Sequence, residues 1–225
     1  MVWLAHGEAG TAGAGSSSLI AADLQTAAAR LAAEIRRLRP RFVLTYEPGG
    51  GYGHPDHVRA REIAVRAVEI AADDNIELGI ESWRTPAVLG SVVPAVVLRA
   101  GRDALAARHD RGEFPAASDL TPETSQDRLA ALAREDDSQI LHIDVSNEQV
   151  LAARHRALQA HRTQIQAVVG FAPDQGFPYL SGGFGLSNNY FSPLFSRDFY
   201  LPDPGWQSVE LTAADLVPPT SNTER

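Results

Sequence analysis

Apolar positions first recur at helical spacing between residues 24 and 38. Asp23 stands immediately before this segment and is suited to begin a helix, and Pro40 ends it. Arg36 and Arg37 are expected on the face opposite the apolar stripe. The pattern therefore predicts an amphipathic helix, whose stripe is Leu24, Ala28, Leu31, Ile35 and Leu38.

A β-rich run and a glycine-rich loop follow this helix. Residues 42–46 have the composition of a short buried parallel strand. The loop at 47–53 contains four glycines, and a second helix is expected from near Pro55 to about Ala72. Helix, strand, loop and helix form half of a doubly wound α/β unit. Ligands in such folds bind beyond the carboxyl ends of the strands, where this loop lies.

The later chain is less regular, and its predicted elements are fewer. Residues 87–97 are expected to form a strand that turns into a helix, with helix through 99–107. A strand is expected at 140–145. Ser146 with Gln149 is typical of a capping box for a long helix, whose stripe would be Val150, Ala157, Leu158, His161 and Ile165. From Gly170 onward we expect coil with short strands.

The predicted domain organisation is one α/β domain with irregular ends. Residues 1–20 are rich in Gly, Ala and Ser and indicate a flexible lead-in. The domain itself is expected over 21–215, with a polar and acidic surface excursion at 108–139. Residues 216–225 are expected to be a disordered tail.

The composition argues against several classes of function. The 225 residues are 44% hydrophobic, enough for a core, and the net charge of −8 argues against nucleic acid or anionic lipid as a partner. Apolar runs are too short for a membrane span, and no signal-peptide pattern is visible, so we expect a cytoplasmic protein. The chain has no cysteine. Any metal must therefore be held by histidines and carboxylates.

The densest chemistry lies in residues 52–57, which read Tyr-Gly-His-Pro-Asp-His. Proline favours the first helical position, so His54 is expected at the cap with His57 in the first turn. Residues three apart share a helix face, and both imidazoles can then point into one crevice. On spacing alone, such a pair is more often solvated or satisfied in a core. The strand–loop–helix context favours a functional site instead.

Residues 45–57 resemble the second metal motif of the LmbE-like (PIG-L) zinc de-N-acetylases, in particular the branch that acts in mycothiol biosynthesis. Residues 157–164 resemble the family's A-L-x-A-H-x-(S/T)-Q helix. Residues 186–189, with Leu194 and 199–201, resemble its C-terminal segment. The resemblance implies a Rossmann-like, doubly wound α/β fold with a mostly parallel sheet. It also implies one zinc ion and a small-molecule glycoside as substrate.

The resemblance further implies a role for each matched residue. His57 matches the last zinc ligand, and His54 matches the histidine that stabilises the tetrahedral intermediate. Asp56 matches the carboxylate that orients this histidine, and Tyr52 matches a tyrosine that polarises the substrate carbonyl. The candidate substrate contacts are Gly51, His161, Ser187, Asn188 and Asn189. Two alternatives stay open: a histidine placed like His161 is more often a core residue, and 187–189 can equally cap a turn.

One part of the family pattern is missing. The first motif, A-H-P-D-D, supplies two zinc ligands and the general base, whereas residues 5–9 read Ala-His-Gly-Glu-Ala. His6 is a poor surrogate ligand because the aspartates are absent. We therefore expect a chain that begins part-way through the family fold and ligates zinc incompletely. Such a polypeptide is expected to be inactive and unstable by itself, with an exposed strand edge.

The implied reaction is zinc-dependent hydrolysis of the N-acetyl group of 1-O-(2-acetamido-2-deoxy-α-D-glucopyranosyl)-1D-myo-inositol. Its products are glucosaminyl-inositol and acetate. A mycothiol S-conjugate amidase is the alternative within the same chemistry, although Gly53 and residues 186–189 favour the deacetylase. The alternative of a different class is a non-catalytic sugar-binding remnant.

Overall fold

The computed structural model describes residues 18–113, 139–172, 177–187 and 189–207, together with the backbone of 121–122. The predicted tail, His6, Asn188, nearly all of the lead-in and most of the surface excursion lie outside the described residues. The chain divides into two compact units. The first lies within Met1–Val92, Gln139–Leu141 and Tyr200–Arg225, and the second within Val93–Ser138 and His142–Phe199. In the described part, no helix has the length and apolar content that a membrane crossing requires.

Two helices form one layer of the first unit. α1 (Leu24–Leu38) begins as predicted, because the Asp23 carboxylate accepts the Thr26 backbone N–H at 2.8 Å. α3 (Pro55–Ala72) begins and ends where the sequence indicated. The two helices pack through small buried side chains, which allow their backbones to approach closely; these are Ala28, Ala32, Ala67 and Val68.

The prediction that Arg36 lies on the polar face of α1 is wrong. Its side chain is 3% exposed, whereas Leu38 of the predicted stripe is 59% exposed. The guanidinium donates hydrogen bonds to the carbonyls of Ile70, Ala71, Asp73, Ile76 and Ile80, at 2.7–3.1 Å. Carbonyls at a helix C-terminus have no donor within the helix. Arg36 supplies those donors and fastens α1 to the end of α3.

The strands of the first unit pair in both senses. β1 (Phe42–Tyr46) runs parallel to β2 (Ala87–Ser91), as predicted. The later residues of β8 (Arg197–Gln207) run antiparallel to β2. The predicted α/β class is confirmed, with a mixed sheet. The prediction that this strand is buried is wrong: β1 lies at the outer end of the strand order, none of its residues is buried, and Leu44 is 48% exposed.

The described part of the second unit contains two helices and a sheet of its own. Its elements are α4 (Ala95–Asp110), β3 (Thr121–Pro122), β4 (Leu141–Asp144), α5 (Glu148–Ala160), β5 (Ile165–Gly170), β6 (Leu180–Leu186) and β7 (Tyr190–Phe195). The sheet has the order β3-β7-β6-β5, and the antiparallel pairs are β5 with β6 and β6 with β7. Leu105 and Phe191 form a buried hydrophobic cluster in this unit.

The expectation of coil with short strands after Gly170 is wrong. β6, β7 and β8 contain 7, 6 and 11 residues. The glycines that suggested coil lie inside the ladder, where a Cβ at Gly182 would collide with the Val169 carbonyl oxygen. Glycine in a strand marks close approach of another backbone, and β6 is such a strand.

The predicted helix after residue 146 is shorter and more exposed than expected. Its cap is Asn147 rather than Ser146, because the Asn147 side chain accepts the Gln149 N–H at 2.9 Å. The helix ends at Ala160, and Ile165 belongs to β5. No residue of α5 is buried and His161 is exposed, so its alternative interpretation as a core histidine is wrong.

Candidate active site

The loop after β1 folds back on the start of α3. Gly50, Gly51 and Gly53 have φ values of 66°, 72° and 81°, which favour glycine, and α2 (Gly50–Gly53) is a single irregular turn. A Cβ at Gly50 would lie 2.8 Å from the Val58 backbone nitrogen. At Gly51, by contrast, an added Cβ would meet nothing within 4 Å. The loop is therefore tight against α3 on one side and open at the predicted substrate residue Gly51.

His54 caps α3, as the following proline indicated. Its backbone is extended (φ −65°, ψ 129°), and its Nδ1 accepts the backbone N–H of Asp56 at 3.1 Å. A neutral imidazole that accepts at one nitrogen carries its proton on the other. His54 Nε2 is therefore a hydrogen-bond donor in this arrangement. A role for the Asp56 carboxylate stays a prediction.

In His57 the proton is expected on the other ring nitrogen, Nδ1. Its Nδ1 lies 3.1 Å from the carbonyl oxygen of Gly50. A carbonyl can only accept, so the proton belongs on Nδ1 and the lone pair on Nε2. Metal-binding histidines commonly have this arrangement, with one nitrogen donating to a carbonyl and the other binding the ion. Two imidazoles in one helical turn thus present one donor and one acceptor.

Two tyrosines pack around the histidines to form a ring cluster of Tyr46, Tyr52, His54 and His57. Tyr46 stacks on His57 with centroids 4.1 Å apart and an interplanar angle of 6°. Tyr52 meets both imidazoles edge-on, at 5.9 and 5.2 Å, and the imidazole centroids are 4.9 Å apart. Burial raises the pKa of the Tyr46 phenol, and nearby Tyr52 adds to this effect. The structure therefore brings Tyr52, His54 and His57 together as the sequence predicted.

Sequence reasoning missed the residues that support this cluster. Tyr46 is the last residue of β1. Its position directly before the loop was the only sequence feature that could have suggested its contact with His57. Arg61, one turn beyond His57, donates to the Tyr46 carbonyl at 3.2 Å and pairs with the Asp203 carboxylate. Asp203 follows 142 residues later, so no local pattern could have found this ion pair.

The described residues fit one corner of a zinc site. His57 offers an imidazole nitrogen in the tautomer that a metal requires. A catalytic zinc takes three protein ligands, whereas no group of three His, Cys, Asp or Glu side chains comes together within the described ranges. These residues therefore do not complete a metal centre by themselves.

Comparison with known proteins gives the family. No protein-family model matches the chain. The chain is 36% identical over 184 residues to a 1D-myo-inositol 2-acetamido-2-deoxy-alpha-D-glucopyranoside deacetylase of Streptomyces avermitilis, covering 80% of this chain and 54% of that protein. It is 31% identical over 229 residues to the protein of the same name from Mycolicibacterium smegmatis, covering 95% and 67%. The chain belongs to this deacetylase family.

Membership confirms the resemblance that residues 45–57 carried. A deacetylase-family protein of Geodermatophilus obscurus is also 34% identical over 183 residues, which is 80% of this chain and 54% of that protein. The chain thus spans about half the length of several family relatives.

The remaining predicted substrate residues of this deacetylase-family chain belong to the second unit. Asn189 has a positive φ of 67°, and its side-chain oxygen accepts Gln166 Nε2 at 3.1 Å. The Ser187 N–H donates to the Gln164 carbonyl at 2.8 Å, and the His161 carbonyl accepts the Ile165 N–H. Each therefore has a place in a turn. Their contact with substrate stays a prediction.

Proposed function

We propose that this chain carries one part of a metal-dependent deacetylase site. The reaction adds water to the acetamide of 1-O-(2-acetamido-2-deoxy-α-D-glucopyranosyl)-1D-myo-inositol and releases acetate and a free amine. The observation that carries the proposal is the pair of imidazoles with opposite backbone partners: His54 Nδ1 accepts an N–H, and His57 Nδ1 faces a carbonyl oxygen. The names of the relatives support this substrate.

Each residue of the ring cluster then has a defined task. His57 would hold the metal through Nε2, and a bound zinc supplies a water that loses its proton near neutral pH. His54 donates a hydrogen bond from Nε2 to the oxyanion of the tetrahedral intermediate and so stabilises its charge. Tyr52 is 47% exposed at the open side of the loop, and its hydroxyl can donate to the substrate carbonyl.

We also propose that the 225-residue polypeptide by itself turns over little substrate. His57 is a single ligand, and the described residues bring no group of three His, Cys, Asp or Glu side chains together. A missing general base alone typically lowers a rate by about 100-fold or more. In the family, the A-H-P-D-D motif supplies the other two ligands and the general base.

A chimeric protein tests the proposal directly. Residues 23–207 would replace the matching segment of the Mycolicibacterium smegmatis relative, which keeps its own N-terminal part. We expect the chimera to release acetate from the inositol glycoside and the 225-residue chain to be at least about 100-fold slower. If the chimera is folded and zinc-loaded and binds the glycoside without hydrolysing it, the chain is a non-catalytic binding remnant and the proposal is wrong.

Substrate choice is a second measurement on the same chimera. We expect a larger kcat/KM for the N-acetylated glycoside than for a mycothiol S-conjugate, because the relatives are named for the first reaction. A larger kcat/KM for the mycothiol S-conjugate would favour the S-conjugate amidase reaction instead.

A further inference from the structure

Three consecutive glycine N–H groups in the loop bond to one residue, Glu47. The N–H of Gly49 donates to Oε2 at 2.5 Å, and the N–H of Gly51 donates to Oε1 at 2.7 Å. The N–H of Gly50 donates to the Glu47 backbone carbonyl at 2.9 Å. Glu47 is only 9% exposed, and a carboxylate withdrawn from water requires such donors. The loop backbone is thus folded around a single residue, with two of the three bonds made to its carboxylate.

The neighbouring strand leaves room for Glu47 by having a glycine opposite. A Cβ at Gly90 of β2 would lie 2.9 Å from the Glu47 Cα and 3.2 Å from its Cβ. Real Cβ atoms are not found at the shorter of these separations, so an alanine at Gly90 would displace Glu47. Glu47 is therefore positioned by β2 on one side and by the loop N–H groups on the other.

These bonds lead directly to the histidine that would bind metal. Glu47 fixes the peptide units on both sides of Gly50, and the Gly50 carbonyl is the partner of His57 Nδ1. Three glycines have little conformational preference of their own. Without the carboxylate, the direction of the Gly50 carbonyl would be poorly determined.

We propose that Glu47 is a positioning residue that sets the tautomer of His57 through the Gly50 carbonyl. Its consequence for catalysis rests on the proposed function. A carboxylate suits the task because both oxygens accept and neither donates. A glutamine has one accepting oxygen, and its amide group would face a glycine N–H with another donor.

The tautomer of His57 in the full chain is the decisive measurement. Nitrogen NMR of the labelled imidazoles should show His57 protonated on Nδ1 in the unaltered protein. In Glu47→Gln we expect a mixture of both tautomers. Gly90→Ala, which moves Glu47 without changing it, should reproduce the mixture.

Glu62→Gln is the matched control, since Glu62 lies in α3 and its half-exposed carboxylate pairs with Arg59 at 2.8 Å. It should leave the His57 tautomer unchanged. In the chimera, Glu47→Gln should lower kcat by about 10–100-fold, the usual cost of removing a group that orients a metal ligand. KM should change little.

Two outcomes separate this proposal from the proposed function. If Glu47→Gln and Gly90→Ala stay folded and keep His57 protonated on Nδ1, Glu47 has no positioning role. If the tautomer shifts while the unaltered chimera hydrolyses no amide, Glu47 still positions His57 and the reaction is wrong.

Discussion

The loop at residues 47–58 and the turn that contains Ser187 and Asn189 both resemble motifs of one family, yet they are built differently. In the loop, backbone groups hold the side chains: the Asp56 N–H and the Gly50 carbonyl each fix one imidazole nitrogen. In the turn, side chain and backbone hold the hairpin, and the amide oxygen of Asn189 is already bonded to Gln166. Backbone atoms that orient a reactive side chain therefore distinguish a candidate site from a turn.

The largest expected effect concerns the two imidazoles of the loop. In the chimera, His57→Ala should lose bound zinc and activity together, because a metal ligand is removed. His54→Ala should keep its zinc and lose about 10²–10³-fold in kcat, the usual contribution of one hydrogen-bond donor to an oxyanion. Metal content and acetate release measure the two effects.

His109→Ala is the matched control for this pair, since the resemblance gives His109 no role. It should change neither property. Full zinc content in His57→Ala, or an unchanged kcat in His54→Ala, would remove the role proposed for that residue and make the loop no different from the turn.

The glycines of the loop should show the next largest effect. Gly50→Ala combines a left-handed φ of 66° with a close contact to Val58, and should lower the free energy of unfolding by about 1–3 kcal/mol as well as kcat. Gly112 of the second unit has a similar φ of 69° but open space around it. Gly112→Ala should therefore destabilise the protein through φ alone and leave kcat unchanged. Equal kcat values in both variants would contradict a catalytic role for the loop.

The helices and the strand that carry the loop could be predicted from sequence, because their start signals act between residues that are close along the chain. Asp23 and Pro55 begin their helices because a capping side chain and a proline act within three or four residues. The same holds for β1, whose run of β-prone residues matches the observed strand.

Partners that are distant along the chain could not be predicted. Arg36 is buried because its acceptors lie 34–44 residues further on, and charge alone had suggested the surface. The role of Glu47 could not be predicted, because its carboxylate becomes an acceptor only once the three following glycines fold back toward it. α5 shows the opposite error, since its apolar stripe is not buried within the described unit.

The turn offers a smaller and sharper test. Asn189→Gly keeps a residue that tolerates the positive φ but removes the side-chain amide. If Asn189 contacts substrate as the resemblance implies, KM of the chimera should rise several-fold, and thermal unfolding should change only by the loss of one exposed hydrogen bond to Gln166. Asn189→Ala should additionally lose about 1 kcal/mol of stability from its strained backbone. An unchanged KM in Asn189→Gly would leave Asn189 as a turn residue alone.

The strands that carry the two regions also differ, and the smallest effect of all is expected at Leu44 of β1. β6, which leads into the turn, has Leu180 fully buried, whereas β1, which leads into the loop, has Leu44 half exposed. Leu180→Thr should cost about 3 kcal/mol in urea unfolding, as removal of a buried aliphatic group does. Leu44→Thr should stay within about 0.5 kcal/mol, because a surface substitution removes few contacts. A cost above about 1 kcal/mol at Leu44 would mean that the outer face of β1 is covered in solution. The strand beneath the ring cluster would then be as enclosed as the strand beneath the turn.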